Sequence, residues 1–257
     1  MPSTDASSSQ PRQVIPRPEL NRRGSPAPWA ALSPSARRGL SLDRVRAALV
    51  SADPAHLEGH ERREPWPAPP AGSVERRPAA VLVALFEERG EARVILTVRS
   101  AQLRSHTGEV AFPGGRLDGD EGIVAGALRE ASEEVGLDPA LVTVVGQLTA
   151  MPTVSSNTVM TPVVATLEAR PSLRPNPGEV ERIFDVALAD LVADTVFAEE
   201  LWTFPGRMDD SGLPRGEFPV WFFEVAGELV WGATARTLVE LACRVLGVAA
   251  PSSLRAD

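Results

Sequence analysis

Ala79, Ala80, Val81, Leu82, Val83, Ala84, Leu85 and Phe86 form an unbroken run without one polar side chain. Such a run fits a β-strand buried on both faces. A strand of that kind needs packed structure above and below it, so the chain is constrained to a layered fold. Residues 93–98, with Val94, Ile95, Leu96 and Val98, predict the next strand. Residues 87–91 between them predict a hairpin loop of about five residues.

Further strands are expected at 108–112, 141–148, 161–167, 218–225 and 229–231, the last two paired across Gly227. A short helix or turn is expected within 183–192. Two longer helices are predicted, at 121–135 and 233–246, the second with Leu238, Leu241, Ala242, Val245 and Leu246 at helical spacing. Mixed strands flanked by helices indicate an α/β domain. It is expected over residues 78–250, with 251–257 as a C-terminal tail. Residues 1–77 read as a low-complexity extension rich in Pro, Ser and Arg. Residues 1–37 hold few large apolar groups and are expected to be mostly disordered. Residues 40–50 predict one short helix capped by Ser41. The Pro-rich stretch at 64–70, which includes Trp66, leads into the domain.

Composition narrows the function. The formal net charge is -8, which disfavours nucleic acid as a partner. No lysine occurs anywhere, so Schiff-base chemistry and lysine-dependent phosphate loops are excluded. Cys243 is the single cysteine; it lies in the last helix pattern and reads as a buried structural thiol. No segment has the length and apolarity of a membrane span, and no signal-peptide pattern opens the chain. A cytoplasmic location is the expectation, with a small-molecule substrate as partner and a homodimer left open.

The chemistry concentrates in the helix at 121–135. Glu130, Glu133 and Glu134 fall at i, i+3 and i+4, which stacks three carboxylates along one stripe. Their mutual repulsion calls for a cation, and a hard divalent ion such as Mg²⁺ or Mn²⁺ suits oxygen ligands. Val124, Ala127, Leu128, Ala131 and Val135 supply the opposite, packing face. Asp120 is a candidate cap, and Gly136 suits the left-handed stop with Leu137 packing after it. Gly114 and Gly115 precede the helix, and a carbonyl of this pair, assigned to Gly115, would add a further oxygen ligand. Arg129 stands four residues before Glu133 and can hold it by an ion pair. Glu121 is nine residues from Glu130, so it either caps the helix or reaches the site by a turn of the chain. A divalent ion among these carboxylates suits hydrolysis of a pyrophosphate linkage.

Gly115, Glu121, Arg129, Glu130, Ala131, Glu133, Glu134, Gly136 and Leu137 together resemble the signature of the Nudix hydrolases. Ala131 is the one departure, smaller than the usual aliphatic residue. The resemblance implies a Nudix-type α/β/α sandwich with a mixed β-sheet. It also implies metal-dependent cleavage of a nucleoside diphosphate linked to another group. In that reading Glu130, Glu133, Glu134 and Gly115 hold the metal, and Arg129 joins the three glutamates as a catalytic candidate.

The segment ahead of the glycines is more particular. Leu96, Thr97, Arg99, Ser100, Arg104, Gly108, Phe112, Pro113, Gly114 and Gly115 resemble the extra motif of the coenzyme A pyrophosphatase branch. Pro162-Val163-Val164 and the segment from Trp231 to Arg236 are also similar to that branch. The resemblance covers residues 78–247. It implies cleavage of coenzyme A to 4'-phosphopantetheine and adenosine 3',5'-bisphosphate. Glu109 departs from the glutamine common there. Arg99, Arg104 and Arg116 are candidates for phosphate contacts. His106, the one histidine of the main domain, either meets a phosphate or holds its loop. The nearer alternative is a Nudix hydrolase of ADP-ribose, NADH or a related compound. The more distant one is a non-catalytic nucleotide-binding regulator. Ser155, Ser156, Asn157, Asp209 and Asp210 are weaker candidates. Trp202, Phe204, Trp221 and Phe222 either stack on adenine or, in the preferred reading, mostly form core; Glu179 and Glu181 either approach the metal cleft or, in the preferred reading, form a solvated pair beside Arg182. The general base is unassigned.

Overall fold

The apolar run becomes the spine of the molecule. The computed structural model describes residue 13 and residues 15–50, 76–103, 106–153, 158–203 and 217–254. Its elements begin with β1 (Asn21–Arg23), α1 (Leu42–Val50), β2 (Arg77–Glu88) and β3 (Glu91–Arg99). There follow β4 (Val110–Ala111), β5 (Gly114–Arg116), α2 (Ile123–Val135), β6 (Thr143–Gln147), β7 (Met151–Pro152) and β8 (Thr158–Thr166). The chain continues with β9 (Val180–Ala187), α3 (Leu188–Leu191), β10 (Phe197–Trp202), β11 (Phe218–Val225), β12 (Glu228–Trp231) and α4 (Gly232–Leu246).

All eight residues of the run are buried in β2. β8 lies parallel along one side of β2. On the other side β3 pairs antiparallel with its C-terminal half and β5 with its N-terminal part. Side chains alternate between two cores, as period-two geometry requires. Ala80, Leu82, Ala84 and Phe86 pack with Ala127, Ala131 and Val135 of α2. Val81, Val83 and Leu85 pack with Leu238, Leu241 and Ala242 of α4 and with Val45 and Leu49 of α1. Full burial of each large side chain contributes about 1.5–3 kcal/mol. The result is the expected α/β/α sandwich with a mixed sheet.

A second sheet, in the order β1, β10, β11, β12, flanks the sandwich. Part of the segment expected to lack structure builds it. Asn21 pairs with Trp202 and Arg23 with Glu200. Trp29 is 1% exposed and stacks on Phe223 with ring centroids 6.3 Å apart. Arg37 donates to the carbonyl of Val192 at 2.8 Å. The expectation for 1–37 is therefore revised over residues 15–37: the few large side chains there fall where the second sheet needs them. The helix expected at 40–50 forms, with Ser41 Oγ accepting from the Arg44 amide at 3.4 Å. The Pro-rich stretch at 64–70 lies outside the described residues. In the expected tail, Leu254 folds back and is buried.

Other local expectations shift. The hairpin loop is two residues, Arg89 and Gly90, both at positive φ. That turn matches the twist of the paired strands and lets Glu88 and Glu91 extend the ladder. The short helix expected within 183–192 forms as α3 (Leu188–Leu191), while 183–187 belong to β9, a strand that was not expected. β9 is partly exposed along its length, so it lacks the clean alternation that marks a strand, and only α3 is helical. β10 gave no strong signal for the same reason. Among the described residues no helix is long and apolar enough to cross a membrane.

Candidate active site

β5 and α2 assemble the site. The chain leaves Pro113, passes Gly114 and Gly115 in β5, and turns at residues 118–122 into α2. The helix starts at Ile123 with Gly122 as its N-cap and no capping side chain. Asp120 therefore does not cap it, and Glu121 lies before it. At the far end Gly136 adopts φ 65°, the left-handed stop expected there, and Leu137 is buried after it.

Gly114 is required as a glycine, and Gly115 leaves room for the Glu130 carboxyl. A Cβ on Gly114 would stand 2.4 Å from the Ala80 carbonyl, and one on Gly115 would stand 2.5 Å from Glu130 Oε1. The carboxyl of Glu130 thus fills the space that a side chain at 115 would take. The Gly114 amide donates to Glu134 Oε2 at 3.0 Å. Glu134 is 5% exposed, although the stripe of three glutamates was expected to face away from the packed side. Arg99, at the end of β3, brings Nη1 to 4.0 Å from Glu134 Oε1.

Arg129 organises the remaining carboxylates. Nε and Nη2 donate to the two oxygens of Glu121, each at 3.0 Å. Nη1 donates to Glu130 Oε1 at 3.1 Å and to Glu133 Oε2 at 3.0 Å. Nη2 also donates to the Arg116 carbonyl at 3.1 Å. Glu121 therefore reaches the site by the turn before α2 and anchors Arg129. These contacts raise the Arg129 guanidinium further above its ordinary value.

Burial pushes the Glu130 carboxyl up against the pull of Arg129, and Glu133 and Glu179 add to the rise. Burial pushes Glu134 up to about 7; the Gly114 amide and Arg99 oppose it, and Glu130 and Glu179 reinforce it. Two crowded carboxylates that resist ionising form a site that gains by accepting positive charge.

Among the described residues, no three His, Cys, Asp or Glu side chains converge closely enough to hold an ion as they stand. Glu130 and Glu133 are turned to Arg129, and Glu134 to Gly114. The donor chemistry still fits a hard divalent ion. Mg²⁺ is usually bound by one or two carboxylates together with water and substrate phosphates, not by a closed protein cage.

The other candidates divide. His106 Nδ1 lies 2.8 Å from Glu109 Oε2, which ties the loop after β3 to itself. The Arg116 side chain is exposed at the rim. Arg104, Ser155, Ser156, Asn157, Phe204, Asp209 and Asp210 lie outside the described residues. Trp202, Trp221 and Phe222 are core, as expected. Cys243 is buried, and burial pushes its thiol up to about 12.

Glu179 corrects the reading of a solvated pair. Its charge acts on both Glu130 and Glu134, and Arg182 pairs with Glu228. The segment before Glu179 is fastened to the end of α2: the Arg174 amide donates to Val135 O at 2.9 Å and the Asn176 amide to Glu134 O at 2.8 Å. The Ser100 amide donates to Glu179 O at 2.8 Å. No spacing rule in the sequence connects residue 179 to the helix. A glutamate after Pro177 and Gly178 is the only local signal.

Residues 75–205 match the NUDIX domain family. The chain is 37% identical over 180 residues to Nudix hydrolase NudL of Photorhabdus laumondii, covering 70% of this chain and 90% of that protein. It is 39% identical over 176 residues to Nudix hydrolase 15, mitochondrial, of Arabidopsis thaliana, covering 64% of this chain and 57% of that protein. Among solved structures, a Nudix hydrolase from M. smegmatis, RenU, aligns with 28% identity and a TM-score of 0.40, over 46% of this chain and 74% of that one.

Proposed function

The chain belongs to the Nudix hydrolase family, and from that premise we propose that it is a coenzyme A diphosphatase. Water adds across the P–O–P linkage of coenzyme A or a derivative. The products are 4'-phosphopantetheine and adenosine 3',5'-bisphosphate. The broader activity is that of the family: pyrophosphohydrolysis of nucleoside diphosphate derivatives. We place the reaction in the cytoplasm.

Nudix hydrolases use divalent ions such as Mg²⁺ or Mn²⁺. Here Glu130, Glu133, Glu134 and the Gly115 carbonyl would hold such an ion. When bound, it neutralises phosphate oxygens and makes water more acidic. The chain's own residues do the positioning. The Gly114 amide fixes the Glu134 carboxyl, and Arg129 fixes Glu121, Glu130 and Glu133. Arg129 touches carboxylates and the Arg116 carbonyl, so its role is to position them. Arg99 Nε is buried without a hydrogen-bond partner among the described residues and is available to donate to a phosphate oxygen. Arg116 adds positive charge at the rim, and Arg104 belongs to the same arginine group on sequence grounds. His106 holds the loop rather than the substrate.

One observation carries the choice of coenzyme A. The segment whose motif resembles the coenzyme A branch includes Gly114, whose amide donates to the buried Glu134, and its Arg99 approaches the same carboxylate. The stretch that would select the substrate thus adjoins the candidate metal ligands. The test is the rate of hydrolysis of coenzyme A against ADP-ribose and NADH, with Mg²⁺ and Mn²⁺ compared. Coenzyme A is expected to be cleaved fastest. Equal or faster cleavage of ADP-ribose overturns the substrate assignment, and no hydrolysis of any of them with either ion favours a non-catalytic binding protein.

A further inference from the structure

Arg99 stands where the ladder of β3 and β9 breaks register. Val98 pairs with Arg182, but Arg99 pairs with Val180, passing over Glu181. Irregularities of this kind bend a strand and re-aim side chains beside functional sites. The backbone that carries the guanidinium is bonded on both sides. The Arg99 amide donates to the Glu109 carbonyl at 2.9 Å, and the Arg99 carbonyl accepts from the Gly108 amide at 3.0 Å. The next amide, of Ser100, donates to Glu179 O at 2.8 Å.

Among the described residues, the ion-pair partner of Arg99 is Glu134, with Nη1 4.0 Å from Oε1. That distance is too long for a hydrogen bond. Glu134 Oε2 is held more firmly, at 3.0 Å, by the Gly114 amide. The two arginines of the site therefore differ. Arg129 donates to three carboxylates at hydrogen-bond distance. Arg99 rests against one carboxylate loosely and keeps Nε without a partner among the described residues.

Two cations compete for Glu134: the Arg99 guanidinium and the divalent ion for which this carboxylate is a candidate ligand. Positive charges this close repel each other. A substrate phosphate removes the conflict, because it offers Arg99 charged acceptor oxygens. Ion and phosphate must then strengthen each other's binding by the same factor.

We infer that Arg99 couples ion binding to substrate binding: it lies at Glu134 in the free protein and turns to a substrate phosphate once the ion takes that carboxylate. Arg99 thus holds ion affinity down until substrate arrives. This rests on the reading of the site as that of a metal-dependent diphosphatase. A residue that merely held Glu134 ready for the ion would have the opposite effect on ion affinity.

The test is calorimetric titration of Mn²⁺ into metal-stripped wild-type protein, Arg99→Gln and Arg99→Lys. Each is titrated alone and with saturating adenosine 3',5'-bisphosphate, corrected for Mn²⁺ held by the free nucleotide. Without nucleotide, Arg99→Gln is expected to bind Mn²⁺ about fivefold tighter than the wild type, because the competing charge is gone. Arg99→Lys keeps the charge and should stay within about twofold of the wild type. The nucleotide should tighten Mn²⁺ binding about tenfold in the wild type and about twofold in Arg99→Gln. Arg99→Gln that binds Mn²⁺ no tighter than the wild type overturns the inference, and weaker binding makes Arg99 a clamp on Glu134 instead. Equal tightening by nucleotide in both proteins also overturns it. Should Arg99→Gln not fold, the wild type decides alone, since no tightening by nucleotide there has the same consequence. None of these titrations needs turnover. The expected pattern in a protein that leaves coenzyme A intact removes the proposed substrate and keeps this role of Arg99. Cleavage of coenzyme A with unchanged Mn²⁺ affinity in Arg99→Gln does the reverse. A wild type that binds no Mn²⁺ removes both the candidate ion site and the coupling.

Discussion

Arg129 grips Glu121 with two hydrogen bonds of 3.0 Å each, across eight residues of chain. The same guanidinium then reaches Glu130 and Glu133. One fork therefore sets the positions of three carboxylates. Lysine offers a point charge without that fork. Arg129→Lys is expected to lower kcat by about 10- to 100-fold while circular dichroism stays that of the wild type. Full activity in the variant would show that the fork is dispensable.

Glu134→Gln keeps an acceptor for the Gly114 amide and removes the charge. Turnover should fall by at least about 100-fold, because a metal ligand supports transition-state charge. Melting and circular dichroism should show an intact fold. Near-normal turnover in a folded Glu134→Gln protein would remove this residue from the candidate ligands.

Gly115→Ala places a methyl group 2.5 Å from Glu130 Oε1. The carboxyl has to move, and it is one of the proposed ligands. Mn²⁺ affinity, followed by calorimetry, is expected to weaken about tenfold or more. Wild-type affinity would mean that Glu130 binds no ion from its present position.

The pair of His106 and Glu109 gives a signed pH dependence. The hydrogen bond to Glu109 raises the histidine above its ordinary value, against burial and the charge of Arg99. A raised histidine stabilises the fold fully below its unfolded pKa of about 6.5 and loses that contribution as pH rises through the folded value. Partial exposure limits the contribution to about 1 kcal/mol or less. Glu109→Gln should therefore melt below the wild type at pH 6 and level with it at pH 8.5. The same gap at both pH values would rule the pair out.

Cys243 should be inert in the native protein. It is 1% exposed, and its thiol, pushed up to about 12 by burial, carries almost no thiolate at neutral pH. A colorimetric thiol reagent is expected to find no reactive group until denaturant is added, and one per chain afterwards. Prompt labelling of the folded protein would contradict the packing of α4.

Much of this was legible in the residues. The run at 79–86 announced a doubly covered strand because burial on two faces permits no polar side chain. The glutamates at 130, 133 and 134 announced their helix, whose spacing puts them along one stripe. The contact of Glu121 with Arg129 was not legible, since it depends on a turn that a helical wheel cannot represent. Glu179 was set aside because its approach to α2 is made by backbone bonds from Arg174 and Asn176, which any side chain could make. β9 and β10 escaped notice because half-exposed strands blur alternation. Trp29 was hidden in a stretch whose average composition suggested no structure, although one large aromatic ring is enough to anchor it.

The pairing of β1 with β10 reaches beyond architecture. A protein trimmed to begin at residue 75, where the family match starts, would lose Asn21, Arg22 and Arg23 and leave that edge of β10 with a bare ladder of backbone donors and acceptors. It would also vacate the slot of Trp29 beside Phe197. Open edges recruit other chains, so such a fragment is expected to self-associate, which light scattering against the intact chain would reveal. The smallest unit that behaves as a well-mannered molecule therefore begins well upstream of the signature by which it is recognised.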